Sequence, residues 1–196
     1  TAADAFARVS GGVGVLSVHQ GCGLTNAMTG LAEAAKSRTP LVVLAAEPAA
    51  AALRSNFRVD QGALAVAVGA SSERVHSAAT AVADTVRAWR LAAEQRRTVV
   101  LNLPLDVQAE TADLVEPPPA VRITAPRASD EAVTELASLL ATAERPVFIA
   151  GRGALGARDE LRSLAVGCGA LLATSAVARG LLAGDPWSLD VSGGFA

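Results

Sequence analysis

The chain has 196 residues, 51% hydrophobic and 18% charged, with a formal net charge of −2 at pH 7. That is a water-soluble globular composition with apolar material for one or two domains, and its near-neutral charge argues against nucleic acid or an anionic membrane surface as a partner. No apolar run approaches the ~20 residues that cross a bilayer, and the start lacks a signal-peptide layout.

Ala2 to Val9 has helical character and stops at Gly11-Gly12, a glycine C-cap. Val13 to Val18 is a short apolar run, the pattern of a buried strand. Residues 26 to 37 place Met28, Leu31, Ala32 and Ala35 on one helical face. Pro40 precedes "LVVLAAE", a continuous aliphatic run typical of a strand covered on both sides. A loop is expected over 48 to 59, a helix from Asp60, and a short strand at "ERVHSA". Ala79, Val82, Val86, Trp89 and Ala93 form a helical stripe, and "TVVLNLP" closes the unit as a strand. Strands alternating with helices imply an α/β fold, a parallel sheet with helices on both faces.

Residues 106 to 127 contain Pro117-Pro118-Pro119 and Pro126 and lose periodicity, as an extended linker does. The alternation then restarts with a helix expected to turn Val133, Leu136, Leu140 and Ala143 inward and "PVFIAG" as a strand. A helix over 157 to 166, a strand "LLATSA" and a final loop "GDPWSLDVSGGFA" follow. The expected organisation is therefore 1–105 as one domain, 106–127 as linker, and 128–196 as the start of a second, Rossmann-like α/β domain only two strands deep. The chain opens in mid-helix without a methionine, which reads as a piece of a longer protein.

The chemistry-bearing residues gather at the first strand's exit, His19-Gln20-Gly21-Cys22-Gly23. Two positions without side chains let something bulky approach the backbone. The place suits a dinucleotide phosphate loop, yet Asn26 stands where that fingerprint needs a third glycine. Glu47, ending the next strand, could play the acidic residue that grips a ribose. "GRGALG" at 151 to 156 is a second glycine cluster that reads equally as a tight turn. His19 is balanced between a packed ring and a place beside a ligand, and His76 reads as structural. Cys22 would need His19 as its base to act as a nucleophile, although such pairs usually come from distant parts of a chain. Cys22 and Cys168 lie far apart without metal-ligand spacing, the pattern of reduced thiols in a cytoplasmic protein. No carboxylate pair, Ser-His-Asp order or metal constellation is visible.

Three stretches in order carry a resemblance: Ala3-Asp4-Ala5-Phe6-Ala7-Arg8, Gly21-Cys22-Gly23-Leu24-Thr25-Asn26-Ala27, and Pro40-Leu41-Val42-Val43. With "VVLNLPLDVQ" and the "ELASLLATAERPVFIAGRGALG" stretch, they resemble the N-terminal pyrimidine-binding domain and the start of the central domain of thiamine-diphosphate-dependent enzymes. Within that superfamily the likeness is to acetohydroxyacid (acetolactate) synthases, 2-oxo-acid decarboxylases and benzaldehyde-lyase-like members. Cys22 replaces the family's usual proline, and His19-Gln20 replace small polar residues. Where the family often has Phe-Gln-Glu, Phe57 is followed here by Arg58-Val59, whereas Asp60-Gln61 resembles the version in benzaldehyde-lyase-like and acetolactate-synthase-like members.

The resemblance implies decarboxylation or carboligation of a small 2-oxo acid, with thiamine diphosphate and Mg²⁺ as cofactors of the full-length enzyme; FAD is left open. His19, Gln20, Gly21, Cys22, Gly23 and Asn26 are the implied cofactor-binding residues. Gly21 and Gly23 would offer bare backbone to the flat pyrimidine ring, and Asn26 would cap the following helix. No catalytic residue and no metal ligand is expected within the chain. By this alignment the family's glutamate falls about five residues upstream of Thr1, and the diphosphate and metal belong to a later domain. The implied assembly is a homodimer or homotetramer, with the exit of the first strand facing a neighbouring subunit. A non-catalytic relative serving as a subunit or regulatory module, and an unrelated nucleotide-binding α/β protein, remain as alternatives.

Overall fold

A computed structural model of the chain describes residues 1–113, 115–119 and 126–192. They form two compact units, Thr1–Ile123 and Thr124–Ala196.

In the first unit, helix α1 (Ala2–Ser10) ends where Gly11 takes a left-handed conformation and its N–H bonds Ala7. Strand β1 (Gly14–Val18), helix α2 (Cys22–Lys36) and strand β2 (Leu41–Glu47) follow. Helix α3 (Gln61–Ala67) starts at Asp60, whose side chain accepts the Ala63 N–H. Strand β3 (Ser71–Arg74), helix α4 (Ala81–Gln95), strand β4 (Thr98–Pro104) and a single-turn helix α5 (Leu105–Gln108) complete the unit. The sheet is wholly parallel in the order β1-β2-β4-β3.

The two central strands explain why their sequences are apolar throughout. Leu41, Val43 and Ala45 of β2, with Val100 of β4, pack against Leu24, Leu31 and Ala34 of α2 and Ala65 of α3. The alternate residues Val42, Val99 and Leu101 pack against Ala88 and Ala92 of α4. A parallel strand buried on both faces has no position left for a polar residue, apart from one with partners.

Three boundaries differ from the sequence reading. Helix α2 begins at Cys22, four residues before the expected start, because its N-cap is Gly21, which has no side chain to signal a cap. Strand β3 lies at Ser71–Arg74, so His76 falls beyond it. Helix α5 occupies residues read as linker, while Val115 to Pro119 carry no regular structure and are exposed. Residues 114 and 120–125 of the expected linker lie outside the described residues.

The second unit holds helix α6 (Asp130–Thr142), strand β5 (Val147–Ala150), helix α7 (Arg158–Cys168) and strand β6 (Leu171–Thr174). Strand β7 (Ser188–Val191) comes from the stretch expected to be a loop, so the sheet has three parallel strands, β5-β6-β7, rather than two. Its core, Ala150, Ala165, Ala170, Leu172 and Leu182, is small.

Candidate functional site

All four strands of the first unit point their carboxyl ends to one edge, where open parallel sheets place ligands. The β1 exit there is a tight turn. Gly21 has φ +60°, and a Cβ added to it would strike the Phe57 carbonyl oxygen. At Gly23, a Cβ would meet the His19 Cβ at 2.8 Å. On the side a Cβ would occupy, what lies against these glycines is therefore the 48–59 loop and His19. The His19 ring stands edge-on to Phe57, centroids 4.9 Å apart, and its Nδ1 donates to the Gln20 carbonyl at 3.0 Å.

Gly21 is buried, whereas His19, Cys22 and Asn26 are exposed and Gln20 and Gly23 half-buried. Asn26 lies in the second turn of α2 rather than capping it. Cys22 is a free, exposed thiol, and the described hydrogen bonds of His19 do not include it, so no nucleophile–base pair forms. Gln20 is the member of the set that asks for a ligand: its Oε1 is buried and has no hydrogen-bond partner among the described residues.

Behind the turn lies a polar network with no local sequence signal. Gln61, 1% exposed, accepts the Gly21 N–H at 2.8 Å on its Oε1. Its Nε2 donates to Asn102 Oδ1 at 2.9 Å and to the Ala46 carbonyl at 3.2 Å. Asn102 in turn donates to Ser72 Oγ and the Glu73 carbonyl. One buried amide thus joins the β1 turn to β2 and β4 and, through Asn102, to β3. The Gly21 N–H is consumed in this network and is not free for a ligand.

Beside the turn, at the ends of β2 and β3, opens a cavity of about 400 Å³ lined by Glu47, Pro48, Ala50, Arg58, Val59, Asp60 and Arg74. Glu47 is ion-paired within the chain, Arg74 Nη1 lying 2.7 Å from its Oε2, though without hydrogen-bond geometry. At the far side of β3, Asp84 is 4% exposed and receives the His76 N–H and ring Nδ1, the Thr80 hydroxyl and Arg87. Burial pushes the Asp84 carboxyl up, but these donors outweigh it and hold the group well below the usual carboxylate range. His76 thus has Asp84 as its partner, through both its backbone N–H and its ring.

In the second unit, "GRGALG" ends β5. Added Cβ atoms at Gly153 and Gly156 meet nothing within 4 Å, and Gly151 meets only Ser175 Oγ at 3.8 Å. Among the described residues no group of three His, Cys, Asp or Glu could hold a metal ion, and no helix is long and apolar enough to cross a membrane.

Residues 1–73 match the family described as "Thiamine pyrophosphate enzyme, N-terminal TPP binding domain". A probable 2-ketoarginine decarboxylase of Pseudomonas aeruginosa is 34% identical over 192 residues, covering 93% of this chain and 34% of that protein. A probable acetolactate synthase large subunit of Methanocaldococcus jannaschii is 30% identical, over 84% of this chain and 30% of its own length. An acetolactate synthase large subunit of Parasynechococcus marenigrum is 32% identical, over 84% and 28%. The chain spans about a third of the length of these curated relatives.

Proposed function

We propose that the chain forms part of a thiamine-diphosphate-dependent enzyme that decarboxylates or ligates small 2-oxo acids in the manner of acetolactate synthases. In this reading residues 1–105 are the pyrimidine-binding domain, 106–127 the linker and 128–196 the start of the central domain. The observation that carries the reading is where the matched residues fall. The glycine turn sits at the carboxyl edge of a four-stranded parallel sheet, beside a buried acceptor that lacks a donor.

Gln20 fits the cofactor's aminopyrimidine, because an orphaned buried Oε1 can accept from an amino group at a net gain of about 1 kcal/mol. His19 borders the same edge and would close against the ring, held upright by Phe57. Gly21, Cys22, Gly23 and Asn26 shape the wall: the first three form the turn and helix start, and Asn26 lies exposed one turn on. When bound, thiamine diphosphate supplies a carbanion nucleophile for the substrate's carbonyl carbon. The chain's own share is to fix the turn through Gln61 and to hold the pyrimidine edge. Mg²⁺, a homodimeric or homotetrameric assembly and a cytoplasmic setting belong to the same proposal, the last supported by two unpaired cysteines.

The test is carbon dioxide release from pyruvate and larger 2-oxo acids by the longer protein that contains this chain, with thiamine diphosphate and Mg²⁺ supplied. Activity that falls at least about tenfold in Gln20→Ala supports the reading. A longer protein that binds the cofactor yet turns over no 2-oxo acid favours the non-catalytic relative.

A further inference from the structure

The 400 Å³ cavity at the ends of β2 and β3 holds four charged side chains, and three of them are engaged or partly engaged. Glu47 and Arg74 face each other at 2.7 Å. Asp60 spends Oδ1 on the Ala63 N–H, 2.8 Å away, where it caps α3. Arg58 is exposed, lines the cavity, and has no ion pair among the described residues. Its position is set by the loop it sits in: the Arg58 N–H bonds the Ser55 carbonyl at 3.0 Å, and its neighbour Phe57 is locked between Gly21 and His19. A guanidinium at a cavity rim, with no hydrogen bond or ion pair of its side chain among the described residues, matches a planar carboxylate, which it can grip through two parallel hydrogen bonds.

We propose that Arg58 is a specificity-determining residue, receiving the carboxylate of a 2-oxo acid in the cavity it shares with Glu47, Asp60 and Arg74. The inference rests on the reading of the chain as part of an enzyme for such acids and names the residue that selects for the acid group. The Glu47–Arg74 pair neutralises itself in the wall, so the carboxylate meets Arg58 as attraction and Asp60 as repulsion. The site therefore favours a small monoanion over a neutral carbonyl compound.

The experiment is a titration of the ¹⁵N-labelled 196-residue chain, followed by amide and arginine side-chain resonances, with pyruvate, with pyruvamide and with sulfate. Pyruvamide keeps the ketone but lacks the charge, and sulfate keeps the charge but lacks the planar carboxylate. Pyruvate is expected to move the Arg58 Nε–H and the Val59 and Asp60 amides saturably, with weaker responses to the other two. Arg58→Gln should raise the apparent Kd at least about tenfold, equivalent to about 1.4 kcal/mol. Asp60→Asn, which preserves a capping side chain, should lower it about twofold by removing the repulsion. Arg90→Gln, on α4 and outside the cavity lining, should leave it unchanged. A response that survives Arg58→Gln, that is matched by pyruvamide or sulfate, or that never saturates overturns the proposal. Absence of pyruvate binding alongside tight cofactor binding by the longer protein removes only the Arg58 site. Pyruvate seated at Arg58 without cofactor binding by the longer protein removes the thiamine reading instead.

Discussion

The two units meet the same problem, a glycine-rich exit from a parallel strand, and solve it differently. In the first, Gly21 is pressed against the Phe57 carbonyl and Gly23 against His19, and the turn's N–H is bound by buried Gln61. In the second, Gly153 and Gly156 face open space. Coverage of the sheets differs in the same sense. Strands β2 and β4 are walled by helices on both faces, while β5 leaves Val147 48% and Ile149 60% exposed and no residue of α6 is buried. A glycine cluster is thus informative only through what lies against it. The spacing of "GCG" and "GRGALG" is equally weak, but only the former is built into a packed, hydrogen-bonded edge.

The comparison breaks first in the cores. Leu101→Ala, at a fully buried β4 position, is expected to destabilise the first unit by about 3 kcal/mol, whereas Ile149→Ala on the bare face of β5 should change stability by no more than about 0.5 kcal/mol. Urea unfolding followed by hydrogen exchange of β4 and β6 amides separates the two. Equal losses would mean that the exposed face of β5 is covered in solution.

The glycines give the next effect. Gly21→Ala carries a side chain into left-handed backbone and into Phe57, and should cost at least about 2 kcal/mol. Gly153→Ala should be neutral within about 0.5 kcal/mol. Paired thermal melts check this, and a tolerated Gly21→Ala would show that the 48–59 loop moves away from the turn.

The smallest effect is electrostatic and confined to the first unit. Asp84 has its folded pKa below its unfolded value, so its stabilisation is present at neutral pH and is lost as the pH falls below about 4 toward the folded pKa. Asp84→Asn should flatten the acid limb of a stability-versus-pH curve for this unit. An unchanged acid limb would mean that the His76, Thr80 and Arg87 contacts contribute no preference for the charged form.

Much of this was legible because the strongest signals are those of burial. "LVVLAAE" and "TVVLNLP" are continuous apolar runs since both faces are covered. Helix α4 was legible as a helix but its packed face was not: Ala88 and Ala92 turn to the sheet, whereas Ala79, Trp89 and Ala93 of the expected stripe are exposed. The start of α2 was hidden because a glycine N-cap carries no side-chain signal, and β7 because "SLDV" is short and mostly outward-facing. At the site, the glycines drew notice by themselves, while Phe57 and Gln61 did so only through the family resemblance, with no sign that they hold the turn. Gln61 acts on Gly21 from 40 positions away and on Asn102 from 41, and no local pattern announces a buried amide with distant partners. Phe57 meets Gly21 through its backbone, which no side-chain motif can encode.

The central claim is that the first unit supplies one wall of a thiamine diphosphate site. Its contribution is a few neutral hydrogen bonds, each worth about 1 kcal/mol net, which is too little to offset the cofactor's loss of freedom on binding. The direct measurement is calorimetric titration of thiamine diphosphate with Mg²⁺ into the 196-residue chain and into the longer protein. The account predicts binding no tighter than about millimolar for the chain and about micromolar for the longer protein. Micromolar binding by the chain alone, or none by the longer protein, would contradict it.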